Sequence, residues 1–236
     1  MIKGARLRDS ASMPKLARQN RSPAPRSAFE WRVATAPAPY PEALEVMEQR
    51  VADIESGRAP ELIWLLEHPS LYTAGTSAAE NELIEAKFPV YQTGRGGRFT
   101  YHGPGQRVIY VMADLRARGR DVRRHVSALE EWVIRVLQDF GITGARRAGR
   151  IGIWVDHKGN DEKIAAIGVR VRRWIAYHGL SFNVCPDLAH YRGIVPCGLP
   201  AFGVTSLQAL GVRATMEEVD DAFRRHAAGS FAAISQ

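Results

Sequence analysis

Cysteine is scarce in this 236-residue chain: there are two, Cys185 and Cys197. Two cysteines cannot staple a disulfide scaffold, and these do not form a C-x-x-C pair, so neither a redox motif nor a zinc knuckle is present. Such low use fits a reducing cytosol, and a cytoplasmic location is the expectation. Long apolar runs are missing as well. None approaches the roughly 20 residues that span a bilayer, so no membrane partner is expected. The seven histidines show no HExxH and no paired ligand spacing, so no metal is expected. Nucleotide motifs are absent too. GRGG at 94–97 does not match G-x-G-x-x-G, and no GKS or GKT ending makes a P-loop.

Acid is also in short supply, but only locally. The net charge is +7. Residues 1–28 hold Lys3, Arg6, Arg8, Lys15, Arg18, Arg21 and Arg26 against one acid, Asp9, which leaves the other 208 residues at about +1. The body is therefore not a general nucleic-acid binder. Rich in Arg, Ser, Ala and Pro, the first 28 residues read as a mobile basic tail ahead of one domain, 29–236. Their composition also resembles an organelle transit peptide, though without a clear amphipathic helix. Two arginine groups in the body are candidates for docking an acidic protein. They are Arg116, Arg118, Arg120, Arg123 and Arg124, and Arg170, Arg172 and Arg173.

What is present is ordered periodicity. Leu44, Met47, Val51 and Ile54 recur at helical spacing and predict a helix over 41–57. Val126, Leu129, Val133, Val136, Leu137 and Phe140 form one stripe, which predicts a helix over 121–140 ended by Gly141. Thr215 and Glu218 have capping-box spacing ahead of a helix to about Ala228. ELIWLLE at 61–67 and RVIYVM at 107–112 read as buried strands. In IGIWV, Ile151, Ile153 and Val155 alternate toward one face. The runs 163–171 and 174–184 alternate too, and lie too close in sequence for a crossover, so they must pair antiparallel. The result is an α+β fold with a largely antiparallel sheet and helices inserted around it.

Three features carry candidate chemistry. The stretch GRGGRFTYHGPGQ at 94–106 is crowded with glycine, which lets a ligand approach bare backbone, and it holds His102. Cys197 sits in GIVPCGLP on a turn, where reactive groups are often displayed. Cys185, at the end of an apolar run, reads as a small buried filler. Lys163 opens KIAAIGVRV; beside so apolar a stretch it is a candidate base.

The ordered blocks LLEHPSLYTAG, GRGGRFTYHGPGQ, KIAAIGVRV, HGLSFNV, IVPCGL and GVTSL resemble those of lipoyl(octanoyl) transferases over residues 40–212. That resemblance implies the catalytic-domain fold of biotin and lipoate protein ligases, an α+β fold with a mixed, largely antiparallel β-sheet flanked by helices. It implies a Cys/Lys dyad at Cys197 and Lys163. It also implies a substrate site of His68, Arg95, Gly96, Gly97, Tyr101, His102, Gly103, Gly105, Gln106, Ile167, Gly168, His178 and Gly179. The implied reaction moves an octanoyl group from octanoyl-acyl carrier protein to a lysine of a lipoyl domain, in dehydrogenase E2 subunits or the glycine-cleavage H protein. The implied intermediate is an octanoyl-Cys197 thioester. A thioester is already activated, so no cofactor is expected; a monomer is. Competing readings are an ATP-dependent lipoate–protein ligase, a hydrolase pairing Cys197 with His102 or His178, and a non-catalytic acyl or carrier-protein binding module.

Overall fold

The computed structural model describes residues 29–195 and 202–232. The tail at 1–28 and Cys197 therefore lie outside the described residues. The elements run β1 (Glu30–Val33), α1 (Tyr40–Glu55), β2 (Leu62–Leu66), β3 (Leu71–Ala74), β4 (Val90–Gln92), β5 (Phe99–His102) and β6 (Gln106–Asp114). Then come α2 (Val122–Asp139), β7 (Ala145–Arg147), β8 (Arg150–His157), β9 (Asn160–Arg172), β10 (Ile175–Asn183), β11 (Gly203–Val204) and α3 (Met216–Ala232). One sheet is ordered β1-β2-β6-β10-β9-β8-β7, with β11 beside β9; a three-stranded sheet, β4-β3-β5, stands apart from it.

The central strands are apolar on both faces because both faces are covered. In β2, Ile63 and Leu65 pack with α2 and α3, while Leu62, Trp64 and Leu66 pack with α1. In β6, Ile109, Val111 and Ala113 join the first group, and Val108, Tyr110 and Met112 the second. This period-two split turns the continuous apolar runs into a sheet between two helical layers. Trp132 locks α2 to α3: its ring meets Phe223 edge-on at 5.0 Å, and its Nε1 donates to the Phe223 carbonyl at 2.8 Å. Truncating a fully buried tryptophan of this kind costs about 3–5 kcal/mol.

Local chemistry fixes the ends. Asp121 caps α2 by accepting from Arg124 N at 3.0 Å. Thr215 and Glu218 form the expected capping box on α3: Glu218 N donates to Thr215 Oγ1 at 3.1 Å, and Thr215 N donates to Glu218 Oε2 at 2.7 Å. Strands β9 and β10 pair antiparallel, as expected. They turn at Arg173 and Trp174, with φ of 47° and 67°, the two left-handed residues of a tight hairpin.

Two local expectations do not hold. Ile153 and Val155 share the core as expected, but Ile151, two residues earlier on the strand, faces solvent. Cys185 is exposed rather than buried. The two arginine groups divide. Arg118 is buried against Glu61, Arg116 pairs with Asp114, and Arg173 pairs with Glu55. Arg120, Arg123 and Arg172 are exposed. Among the described residues, no helix is long and apolar enough to cross a membrane.

Candidate active site

The β9–β10 pair forms the floor of a cavity of about 980 Å³. Gly168 and Gly179 are cross-strand neighbours there, flanked by the pairs Ile167–Leu180 and Val169–His178. The missing side chain at Gly168 lets the 95–97 loop descend onto the sheet. Gly96 N donates to Val169 O at 2.9 Å, and a Cβ on Gly168 would sit 3.0 Å from Gly96 O. Arg95 ties this loop to the small sheet, donating through Nη2 to the Thr73 carbonyl at 2.9 Å and to Thr73 Oγ1 at 2.6 Å. The cavity thus opens at the seam between the two sheets.

Its lining combines apolar side chains (Val108, Val126, Ile167, Val169 and Leu180) with Arg95, Arg98, Arg123, Arg150 and Lys163. Among the described residues, Glu130 is the lone carboxylate on that lining. Lys163 is 6% exposed. Its Nζ donates to Ile151 O at 3.0 Å and lies 4.6 Å from the Trp154 ring centroid. Residues 202–205 pack at this corner. Phe202 meets Trp154 edge-on at 5.6 Å, and Thr205 N donates to Lys163 O at 2.9 Å.

Behind the wall, a polar chain orients His102. The Gln106 nitrogen donates to Asn183 Oδ1 at 2.9 Å, Tyr191 OH at 2.8 Å and Tyr101 O at 3.2 Å. Its oxygen therefore faces His102 Nδ1, which donates across 2.7 Å. This leaves His102 Nε2 as an acceptor for the Thr73 hydroxyl at 3.3 Å, itself held by Arg95. His68 is set in the same way. Its Nδ1 donates to Ala38 O at 2.5 Å, and its Nε2 accepts from Tyr110 OH at 2.7 Å. His178 lies on the cavity wall at φ 60°, an uncommon backbone for histidine, and its Nε2 is buried without a hydrogen-bond partner among the described residues.

Burial keeps all three imidazoles neutral. It pushes His68 down to about 4 and His178 down to about 3, the latter with help from Arg95 and Arg170. Burial, then His68 and Arg95, hold His102 well below the usual histidine range.

Of the residues expected from sequence, Lys163, Arg95, Gly96, Gly97, His102, Ile167, Gly168, His178 and Gly179 line the cavity. His68, Tyr101, Gly103, Gly105 and Gln106 stand behind it. Two of the loop's glycines serve packing rather than ligand approach. A Cβ on Gly103 would fall 1.8 Å from the Tyr101 hydroxyl, and one on Gly105 would fall 2.6 Å from the Cys185 carbonyl. Sequence reasoning missed Thr73, Asn183 and Tyr191, which fix the histidine and glutamine. It also missed Glu130, although a carboxylate inside an apolar helical stripe is a readable signal.

A glycine-floored cavity between a central sheet and a small second sheet, with a buried lysine on its wall, defines the class. The lipoyl protein ligase A/B catalytic domain model matches residues 39–228, and the chain belongs to that family. Among curated relatives, the octanoyltransferase of Paramagnetospirillum magneticum is 60% identical over 193 residues, 81% of this chain and 91% of that protein. The octanoyltransferase of Rhizorhabdus wittichii is 60% identical over 199 residues, 84% of this chain and 89% of that protein. Solved structures share the fold at low identity. A lipoate-protein ligase A bound with ATP superposes with a TM-score of 0.65 at 16% identity, covering 86% of each chain. A bi-partite lipoate protein ligase of Thermoplasma acidophilum gives 0.64 at 15% identity, covering 87% of this chain and 85% of that one.

Proposed function

We propose that this protein is an octanoyltransferase that moves an octanoyl group from acyl carrier protein to a lysine of a lipoyl domain. The observation that carries the reading is Lys163, buried on the cavity wall with its amine on the Ile151 carbonyl, in a chain 60% identical to octanoyltransferases. In the first half-reaction the Cys197 thiol gives its proton to Lys163, and the thiolate attacks the donor thioester carbonyl. The tetrahedral adduct expels the carrier's pantetheine sulfur, which takes the proton from Lys163. Octanoyl-Cys197 remains. In the second half-reaction the acceptor lysine amine attacks this thioester, its proton passes to Lys163, and the C–S bond breaks as the amide forms. The proton then returns to the Cys197 sulfur. Atoms balance without ATP, because the incoming acyl group is already a thioester.

The cavity chemistry suits this sequence. Apolar walls accept the acyl chain. The cationic lining stabilises a developing oxyanion and attracts acidic carrier domains. His102 and His178, kept neutral, are fixed dipoles on that wall rather than charges.

The test is intact-protein mass after mixing with octanoyl-acyl carrier protein, with peptide mapping, beside Cys197→Ser and Lys163→Ala. An octanoyl adduct on Cys197 that discharges onto apo lipoyl domain is the expected result. No adduct, with modification of the lipoyl domain only when ATP and free octanoate are supplied, would overturn it in favour of a ligase.

A further inference from the structure

Glu130 stands out on α2. It is 8% exposed and falls at the i+4 position from Val126 and i−3 from Val133, within the apolar stripe. A carboxylate placed there needs partners, and it has two. Its Oε1 accepts from Gly152 N at 3.2 Å, and its Oε2 accepts from Arg146 Nε at 3.1 Å. Arg146 is held in turn by the Ser127 carbonyl at 2.9 Å.

Gly152 N–H and Ile151 C=O belong to one peptide unit. Its N–H end is held by Glu130, and its C=O end receives Lys163 Nζ. We infer that Glu130 is a positioning residue, which holds the Ile151–Gly152 peptide so that its carbonyl fixes the Lys163 amine. A carboxylate on the N–H end also polarises the peptide and strengthens its oxygen as an acceptor. The backbone is specialised for this. Gly152 has φ 111°, and a Cβ there would lie 2.6 Å from the Ala165 carbonyl. The register shift at Ile153 and Trp154 leaves Ile164 of β9 as the extra residue, directly after Lys163. Bulges of this kind re-aim strand groups beside functional sites.

The inference rests on Lys163 being the reacting lysine, so its test separates the two claims. Steady-state octanoyl transfer is measured for Glu130→Ala, Glu130→Gln, the double variant Glu130→Gln/Arg146→Met, and Lys163→Ala. In parallel, trace acetylation of Lys163 relative to exposed Lys87 is read by peptide mass, without turnover. Glutamine offers one acceptor where two N–H donors face the group, so it fails on one side. Removing Arg146 lets the amide oxygen return to Gly152.

Glu130→Ala is expected to lower kcat about tenfold or more with the donor KM within about twofold, since misplaced catalytic groups cost rate rather than binding. Lys163 acetylation rises. The double variant recovers most of both, which loss of packing alone would not do. If Glu130→Ala does not fold, Glu130→Gln against the double variant carries the comparison. Native kcat and an unchanged labelling ratio in the Glu130 variants would overturn the inference. Native transfer by Lys163→Ala would instead overturn the reading of the lysine, and the labelling ratio would still report on the peptide.

Discussion

Gln106→Leu tests the polar chain behind the cavity. The substitution keeps side-chain volume and removes every hydrogen bond of a fully buried amide. Asn183 Oδ1 and Tyr191 OH retain each other at 3.2 Å. His102 Nδ1–H loses its acceptor, Gln106 Oε1. One orphaned buried donor costs about 1–3 kcal/mol, and each of the lost bonds to Asn183 and Tyr191 adds about 0.5–1.5 kcal/mol. Added leucine burial offsets part of this, leaving about 2–4 kcal/mol. For a domain of this size that is a fall in Tm of about 4–16 °C. Urea unfolding followed by circular dichroism reads the energy, and octanoyl transfer reads the site. Turnover should fall as well, because the His102 ring loses the contact that selects its tautomer. A Gln106→Leu protein that melts within about 2 °C of native would refute the claim that this network holds the wall.

Acidification should destabilise the protein from about pH 6.5 downward. His68 and His125 titrate at about 4 and His178 at about 3, and His102 is also held low, so four protons are taken up by the unfolded chain first. Asp220, pushed up to about 6 by burial, offsets one of them. Each net proton is worth up to about 1.4 kcal/mol per pH unit. Unfolding free energies from urea titrations at about pH 7 and pH 5 should differ by at least about 3 kcal/mol, and equal values would contradict the burial argument. Two alanine substitutions should separate fold from cavity. On Gly179 a Cβ would meet the Ile109 carbonyl at 2.2 Å, so Gly179→Ala should yield little folded protein. On Gly96 the nearest atom is 3.6 Å away, so Gly96→Ala should melt normally yet slow transfer of octanoyl more than of a shorter acyl group. Raising salt from about 50 to about 300 mM should raise KM for the carrier-protein donor, while a small octanoyl thioester stays unaffected.

The layered core was readable from sequence because β2 and β6 are continuous apolar runs and α2 carries a long apolar stripe. The antiparallel hairpin followed from spacing alone. Strand β5 was hidden inside the glycine-rich stretch, because its burial comes from distant partners: Tyr101 OH meets Ser70 at 3.0 Å and His190 at 2.8 Å. Ile151 misled because alternation gives the side of the strand and not how far along it the core extends: Ile153 and Val155 reach the core, and Ile151 lies beyond its edge. In the site, Lys163, His102 and His178 were legible through the blocks they sit in. Thr73, Asn183 and Tyr191 were not, since each is an ordinary polar residue until the sheets bring them together. Glu130 was legible in principle, as the one charge that interrupts the helix stripe.

The seam between the sheets also bears on how the protein reaches its working state. His102, from the small sheet, comes to share one cavity with Lys163 and His178 only after β6, β9 and β10 have paired across long stretches of chain. Non-local contacts of this kind form late, and domains rich in them fold slowly. No short fragment of the chain carries both the floor and the wall of the cavity, so recovery of activity during refolding would mark closure of the central sheet, later than the first return of helical signal.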